Sequence, residues 1–336
     1  EYRRQRQMCI RDRIRIDTNN ILFVIYLSTK QFYHQTLLLK ISIMPSWSEI
    51  LTEVDSYSNV GVELDKKRKE FFDKIHDITG RNVIAYYSGW LKKPDAPHVG
   101  IDDQDKNAFM TAVYKLDKTK GLDLILHTPG GDIAATESII TYLKNIFKGD
   151  IRAFIPQISM SAGTMMSMAC KEIIMGEQSS LGPIDPQMGI YACQAVVDEF
   201  KRAVKEIAAN PASLGLWQVI ISKYDPTFLT ACDNAIKWSA QLAEQWLKEV
   251  NPNIDFQKVK DVFLNHNNSY SHSRHLSKQD CKNAGLNIVD LEENPLLQDA
   301  VLSLHHCYMI LFDKFTISKV VENNIGGRYM QNYNAK

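Results

Sequence analysis

Between Leu122 and Gln187 two short apolar runs each end in a turn of small residues that opens a helix. This repeated unit restricts the chain to a layered α/β architecture. The first run, Leu122, Leu124, Ile125 and Leu126, stops at His127 and gives way to Thr128-Pro129-Gly130-Gly131, strand followed by tight turn. Asp132 then caps a predicted helix whose Ile139, Leu143, Ile146 and Phe147 share one face. The second run, Ile151 to Ile158, ends at Ser159-Met160-Ser161-Ala162-Gly163-Thr164, and Met165, Met166, Met168 and Ala169 continue as residues suited to a buried helix. Alternating strand and helix predict a parallel sheet.

Such turns fit nucleophilic acyl transfer. That chemistry needs a hydroxyl at an exposed strand-to-helix corner and backbone N–H donors about 3 Å from the developing oxyanion. Ser161 supplies the hydroxyl, Ala162 offers one N–H at a helix start, and Gly131 offers a second from the neighbouring turn, where no side chain blocks approach. Taken alone, Ser-Ala-Gly reads as a helix cap and Gly-Gly as a turn. Their pairing in one α/β unit is what points to a site.

The blocks HTPGG (127–131), SMSAGT (159–164) and SSLGPIDPQ (179–187) resemble the Clp-protease and crotonase-like superfamily. They resemble more closely the signal peptide peptidase A-like serine peptidases and the serine dehydrogenase proteinases. The likeness runs on through GRNVIAYYSGW (80–90) and AGLNIVDLE (284–292), and so covers about residues 45–323. It implies a Clp-protease/crotonase-like β-α spiral core with a helical N-terminal arm. It further implies Ser161 as nucleophile, an oxyanion hole from the Gly131 and Ala162 amides, a peptide or protein substrate, and a homo-oligomer.

A serine at neutral pH needs a proton acceptor. His127 precedes the turn and is expected to bond backbone instead. Where the Clp proteases carry their catalytic histidine this chain has Ile184-Asp185-Pro186, so the resemblance gives no Ser-His-Asp arrangement there and points, through the signal peptide peptidases, to a lysine. Lys205 has the family spacing but lies off the apolar face of Val196, Val197, Phe200, Val204 and Ile207. Lys223 falls within the face of Leu216, Val219 and Ile220, where burial would leave a neutral amine. Lys223 is the preferred base and Lys205 the alternative, with Asp185 as a polar partner. Gly130 at the turn, and His272, Arg274 and His275 in SHSRHLSKQD, are candidate substrate contacts, the last three for an anion or a substrate carboxylate; Ser277 is expected to cap the helix that follows.

Composition excludes rather than selects. Lys plus Arg and Asp plus Glu are equal at 39 each, so no net field attracts nucleic acid or an anionic membrane. The apolar run Ile21–Leu27 falls far short of the roughly 20 residues of a membrane span. Six scattered cysteines fit a reducing cytoplasm and neither a zinc site nor a redox motif. Asp102, Asp103 and Asp105 are expected as first-turn helix acids and not a metal site. No cofactor is expected, and no motif supports pyridoxal.

The predicted organisation is a non-native upstream extension over 1–43, a helical arm over 44–80, the peptidase domain over 81–312 and a tail over 313–336, loose from Gly326. Asn251–Asn268 is expected to be a polar, mobile connector. The leading function is a serine peptidase. A crotonase-like acyl-CoA hydratase or isomerase, and a non-catalytic oligomeric scaffold, are the alternatives.

Overall fold

In chain order the first elements are α1 (Trp47–Asp55), α2 (Val60–Thr79), β1 (Asn82–Ser88), α3 (Gln104–Val113), β2 (Leu122–His127), α4 (Ile133–Phe147), β3 (Ile151–Ile155), β4 (Ile158–Ser159) and α5 (Ala162–Met168). Next come β5 (Glu172–Met175), β6 (Ser180–Leu181), β7 (Gln187–Met188), β8 (Tyr191–Ala192), α6 (Cys193–Ala209), α7 (Leu214–Ile221) and α8 (Phe228–Val250). The last are α9 (Phe256–Val259), a π-helical turn over Lys260–Leu264, α10 (His266–Ser269), β9 (Leu276–Ser277), α11 (Lys278–Asn283), β10 (Ile288–Asp290), α12 (Pro295–Lys314), β11 (Ile317–Asn323) and β12 (Arg328–Asn332). This is a computed structural model, and it describes residues 47–333. The extension proposed for residues 1–43 lies outside the described residues.

Seven strands form one sheet in the order β10-β5-β3-β2-β1-β11-β12. From β10 to β1 all pairs are parallel, as the alternating units predict; β11 and β12 add antiparallel pairs, which makes the sheet mixed. Successive β1 residues feed opposite cores. Ile84 and Tyr86 pack with α3, α4, α5 and α8, whereas Val83, Ala85 and Tyr87 pack with α1, α2 and α12. The result is three layers, with the sheet buried on both faces.

The helical arm is two helices, broken at 56–59, because the Asn59 side chain accepts the Val62 N–H (3.2 Å) and starts a new helix. The expected tail is part of the sheet. Val320 and Val321 of β11 are buried on opposite faces, each stabilising by roughly 1.5–3 kcal/mol. Lys319 and Glu322 hid this strand in the sequence, since both charges are paired inside: Lys319 with Asp105, and Glu322 with Arg68 Nε (3.0 Å) and the Tyr308 hydroxyl (3.1 Å). The 251–268 connector is likewise built, through α9, the π-helical turn and α10. Phe263 is buried there and its carbonyl accepts the Ile184 N–H (2.7 Å).

Helices α6, α7 and α8 form an arm with a small core of its own around Cys193, Val196, Cys232 and Phe228. The expected inner face of α6 is only partly right. Val196 is buried but Val204 is 71% exposed, and on α7 Leu216 and Val219 are 64% and 60% exposed. The helix turns Trp217 inward instead, over Arg202, with its indole N–H donating to Glu206 (3.0 Å).

Candidate functional site

The two turns meet at the carboxyl ends of β2 and β3, the end of a parallel sheet where ligands bind. Two backbone hydrogen bonds join them: Thr128 N–H to Ile158 O (3.2 Å) and Met160 N–H to Thr128 O (3.0 Å). Thr164 closes the corner from behind, donating its hydroxyl hydrogen toward Ser159 O and Gly182 O (both 2.9 Å) and accepting from Gly182 N–H (3.0 Å). The approach is so tight that a Cβ on Gly130 would lie 2.7 Å from Ser161 Cβ and 3.0 Å from the Ala162 nitrogen. Only glycine fits there, and at φ +97° only glycine is unstrained.

Ser161 sits between β4 and α5 with φ +50° and ψ −116°. A non-glycine residue in this region is strained, and such strain persists only where the surroundings hold it. A strained strand-to-helix corner of this kind presents the nucleophile in the α/β-hydrolases. Ala162 is the first residue of α5, whose first-turn amides have no helical acceptor. Gly131 bridges Ile101, but the bridge is made by Ile101 N–H to Gly130 O (2.7 Å) and Asp132 N–H to Ile101 O (2.8 Å). The Gly131 amide takes no part in it.

The Ile101 segment is itself clamped by a side chain from β11. Lys319 Nζ donates to Gly100 O (2.8 Å) and to both Asp105 oxygens (2.8 and 2.9 Å), and both side chains are 1% exposed. Asp105 also accepts from the Tyr86 hydroxyl (2.8 Å) and the Asp102 N–H (3.0 Å). Asp105 is thus the first-turn acid of α3, as expected, and also a buried strut.

A cavity of about 1090 Å³ opens in front of the corner, lined among others by Gly131, Ser161, Met165, Ile184, Trp238 and His272. Behind it lies Asp185, which is buried and accepts three hydrogen bonds: His272 Nδ1 to Oδ1 (2.8 Å), His266 Nδ1 to Oδ2 (2.7 Å) and Gln187 Nε2 to Oδ2 (2.8 Å). A carboxylate only accepts, so both rings carry hydrogen on Nδ1 and Nε2 of His272 is left as the acceptor nitrogen. The structure thus brings Ser161, Asp185 and His272 to one place. His266 is a member of this cluster that the sequence did not single out. Its only signal was a histidine six residues before His272 in a polar segment.

The other candidates lie elsewhere. Lys205 and Lys223 are both exposed and neither lines the cavity. The desolvation expected for Lys223 fails because the α7 face around it is itself exposed. His275 Nδ1 pairs with the Ser180 hydroxyl (2.9 Å) and Arg274 donates to Asn268 O (2.7 Å), so His272, Arg274 and His275 do not converge on an anion. Gly130 shapes the corner. Among the described residues no group of acids, histidines and cysteines has the arrangement of a metal site, and no helix is long and apolar enough to cross a membrane.

Residues 34–289, well over half of the chain, match the model of a family described as ClpP-like SDH-type serine proteinase. The chain belongs to this family. The match begins ahead of Met44, where the sequence likeness was first legible. Among curated proteins the chain is similar to two from Methanocaldococcus jannaschii. It is 37% identical over 112 residues to uncharacterized protein MJ0137, covering 33% of this chain and 37% of that one. It is 30% identical over 147 residues to uncharacterized protein MJ1495, covering 42% and 49%. The chain therefore matches between about a third and a half of the length of these relatives. The seven-stranded mixed sheet with helices on both faces agrees with the ClpP/crotonase fold of the family.

His127, the residue before the glycine turn, bonds backbone as expected, through Nδ1 to Ser88 O (3.2 Å), and reaches Gln157 through Nε2 (3.3 Å). Its ring packs against Trp90 and His305. Burial lowers its pKa to about 4, and burial together with the neighbouring His127 holds His305 well below its ordinary value. The unfolded chain therefore binds protons that the folded protein refuses. The stability contributed by neutral His127 is complete above pH about 6.5 and is lost as pH falls toward 4, on the order of 3 kcal/mol over the window. Urea denaturation at pH 7 and pH 5 is expected to show about 2 kcal/mol of this loss, with a shallower slope in His127→Gln. Parallel pH profiles for the two proteins would remove His127 as the cause.

Proposed function

We propose that this proteinase cleaves peptide bonds by acyl transfer to Ser161, with His272 as the general base and Asp185 holding its ring. In this reading Ser161 Oγ attacks the scissile carbonyl while His272 Nε2 takes its proton. The Gly131 and Ala162 amides receive the oxyanion. His272 returns the proton to the leaving amine, and a water molecule activated by the same ring then releases the acyl group. His266 and Gln187 both donate to Oδ2 of Asp185, which orients Oδ1 toward His272.

The observation that carries the proposal is that Ser161 and a histidine tied to a buried aspartate line one cavity. The lysines named from the sequence lack that placement. The order Ser161, Asp185, His272 differs from that of the Clp proteases, which carry their histidine at the position occupied here by Asp185. The exposed apolar residues Val204, Leu216 and Val219 support assembly of the chain into a homo-oligomer. An acyl-phosphonate probe is expected to label the wild-type protein on Ser161, mapped by peptide mass spectrometry, and to leave Ser161→Ala unlabelled. Equal labelling of both proteins, or a label on another residue, excludes Ser161 as the nucleophile.

A further inference from the structure

A second cavity, of about 710 Å³, adjoins the first across the β7–β8 hairpin, and Gln187 and His272 line both. Its other walls include Tyr191, Tyr224 and Tyr270 and the α6 acids Asp198 and Glu199. Tyr191 and Tyr270 stand exposed at its rim. Both acids are fixed by neighbours. Asp198 accepts from Gln194 (2.8 Å) and Asn267 (3.0 Å), and Glu199 accepts from the Tyr224 hydroxyl (2.6 Å). Burial acts to raise the Asp198 pKa, but the hydrogen bonds from Gln194 and Asn267 and the charge of Lys201 outweigh it and hold the group below its ordinary range.

The positive groups at this cavity are already engaged. Arg202 also lines the cavity, but its charge is shared with Glu206, to which its Nε donates (2.7 Å), and its guanidinium lies over Trp217 (5.7 Å). Lys201 is exposed and reaches Asp198 only at 3.5 Å. His266 and His272 direct their Nδ1 hydrogens at Asp185. Beside Arg202 the space is faced by two carboxylates and by the rings of Tyr191, Tyr224 and Tyr270, Tyr224 being stacked on Phe228. Carboxylates offer acceptors, and tyrosine faces attract cations. An extended peptide advances about 3.4 Å per residue, so a substrate held at Ser161 presents a nearby side chain to a cavity that shares His272 as its wall.

We propose that this second cavity is a substrate subsite for a lysine or arginine side chain close to the scissile bond. The inference rests on the reading of Ser161 and His272 as the catalytic pair, because that reading makes the first cavity the place of the scissile bond. It goes beyond the family, which specifies a protein substrate and no side-chain preference.

Binding separates the two ideas. Capped pentapeptides carrying Lys, Gln or Glu at one position, moved through the five positions in turn, are titrated calorimetrically into the full-length Ser161→Ala protein. In at least one register the Lys peptide is expected to bind about tenfold more tightly than the Gln peptide, with the Glu peptide weakest. The gap shrinks as salt is raised. In Ser161→Ala carrying Asp198→Asn and Glu199→Gln, checked for folding by circular dichroism, the gap falls to within about twofold; if that protein does not fold, each single substitution is expected to reduce it about threefold. Absence of any Lys preference, or a preference that survives these substitutions, overturns the subsite. Phosphonate labelling of wild-type Ser161 reports on the catalytic reading alone. A Lys preference without labelling retains the subsite and rejects the nucleophile, whereas labelling without a preference does the reverse.

Discussion

Replacing His272 with alanine is expected to lower kcat for peptide hydrolysis about ten-thousandfold, with KM little changed, because the ring acts in the transition state and not in binding the ground state. Lys205→Ala and Lys223→Ala are expected to stay within about twofold of the wild-type protein, since both amines are exposed and stand off the cavity in front of Ser161. The comparison decides between a histidine and a lysine base in a single set of assays. The hydrogen bond from His272 to buried Asp185 gives the ring one tautomer and one orientation, which an exposed lysine with four rotatable bonds lacks. Full activity in His272→Ala, or loss of activity in either lysine variant, would overturn this assignment. Because His272 is partly exposed, its removal leaves the core intact, and a thermal melt close to that of the wild type separates lost chemistry from lost folding.

The second large effect concerns Lys319. Its substitution by methionine is expected to destabilise the fold by about 3–5 kcal/mol, because it strands Asp105, buried at 1% exposure, without its counter-charge. Burial already pushes the Asp105 carboxyl above its ordinary range with Lys319 in place. The damage should also reach the site. Lys319 and Asp105 together hold Gly100 and Asp102, and the Ile101 between them fixes Gly130 and Asp132 on either side of Gly131. At temperatures where Lys319→Met is still folded, kcat should therefore fall further than KM rises. The double variant Lys319→Met with Asp105→Leu removes both charges and is expected to recover much of the stability. A single variant within about 1 kcal/mol of the wild type in chemical denaturation would show that the pair contributes little.

The sequence read the central elements well because their signals are local. The apolar run ending in Pro129-Gly130-Gly131, the Asp132 cap and the methionine-rich α5 each follow from neighbours a few residues apart. Charged residues misled the reading wherever the fold paired them at a distance. Lys319 and Glu322 made an internal strand look like a tail, and their partners Asp105 and Arg68 lie 214 and 254 residues away. Amphipathic periodicity likewise identified α6 and α7 as helices, yet it could not say whether their apolar stripes meet a core, and Val204, Leu216 and Val219 do not.

The chain alone therefore determined the layered α/β class, the family likeness and the serine between two glycine-rich corners, since each is written in contiguous residues. Only the tertiary structure decided what faces that serine. Asp185 lies 87 residues before His272, with the arm of α6 to α8 between them, and no periodicity in a linear chain encodes that meeting. It is set by packing: Ile184 is tied by its amide to Phe263, and this anchors Asp185 where the segment carrying His266 and His272 folds back over it.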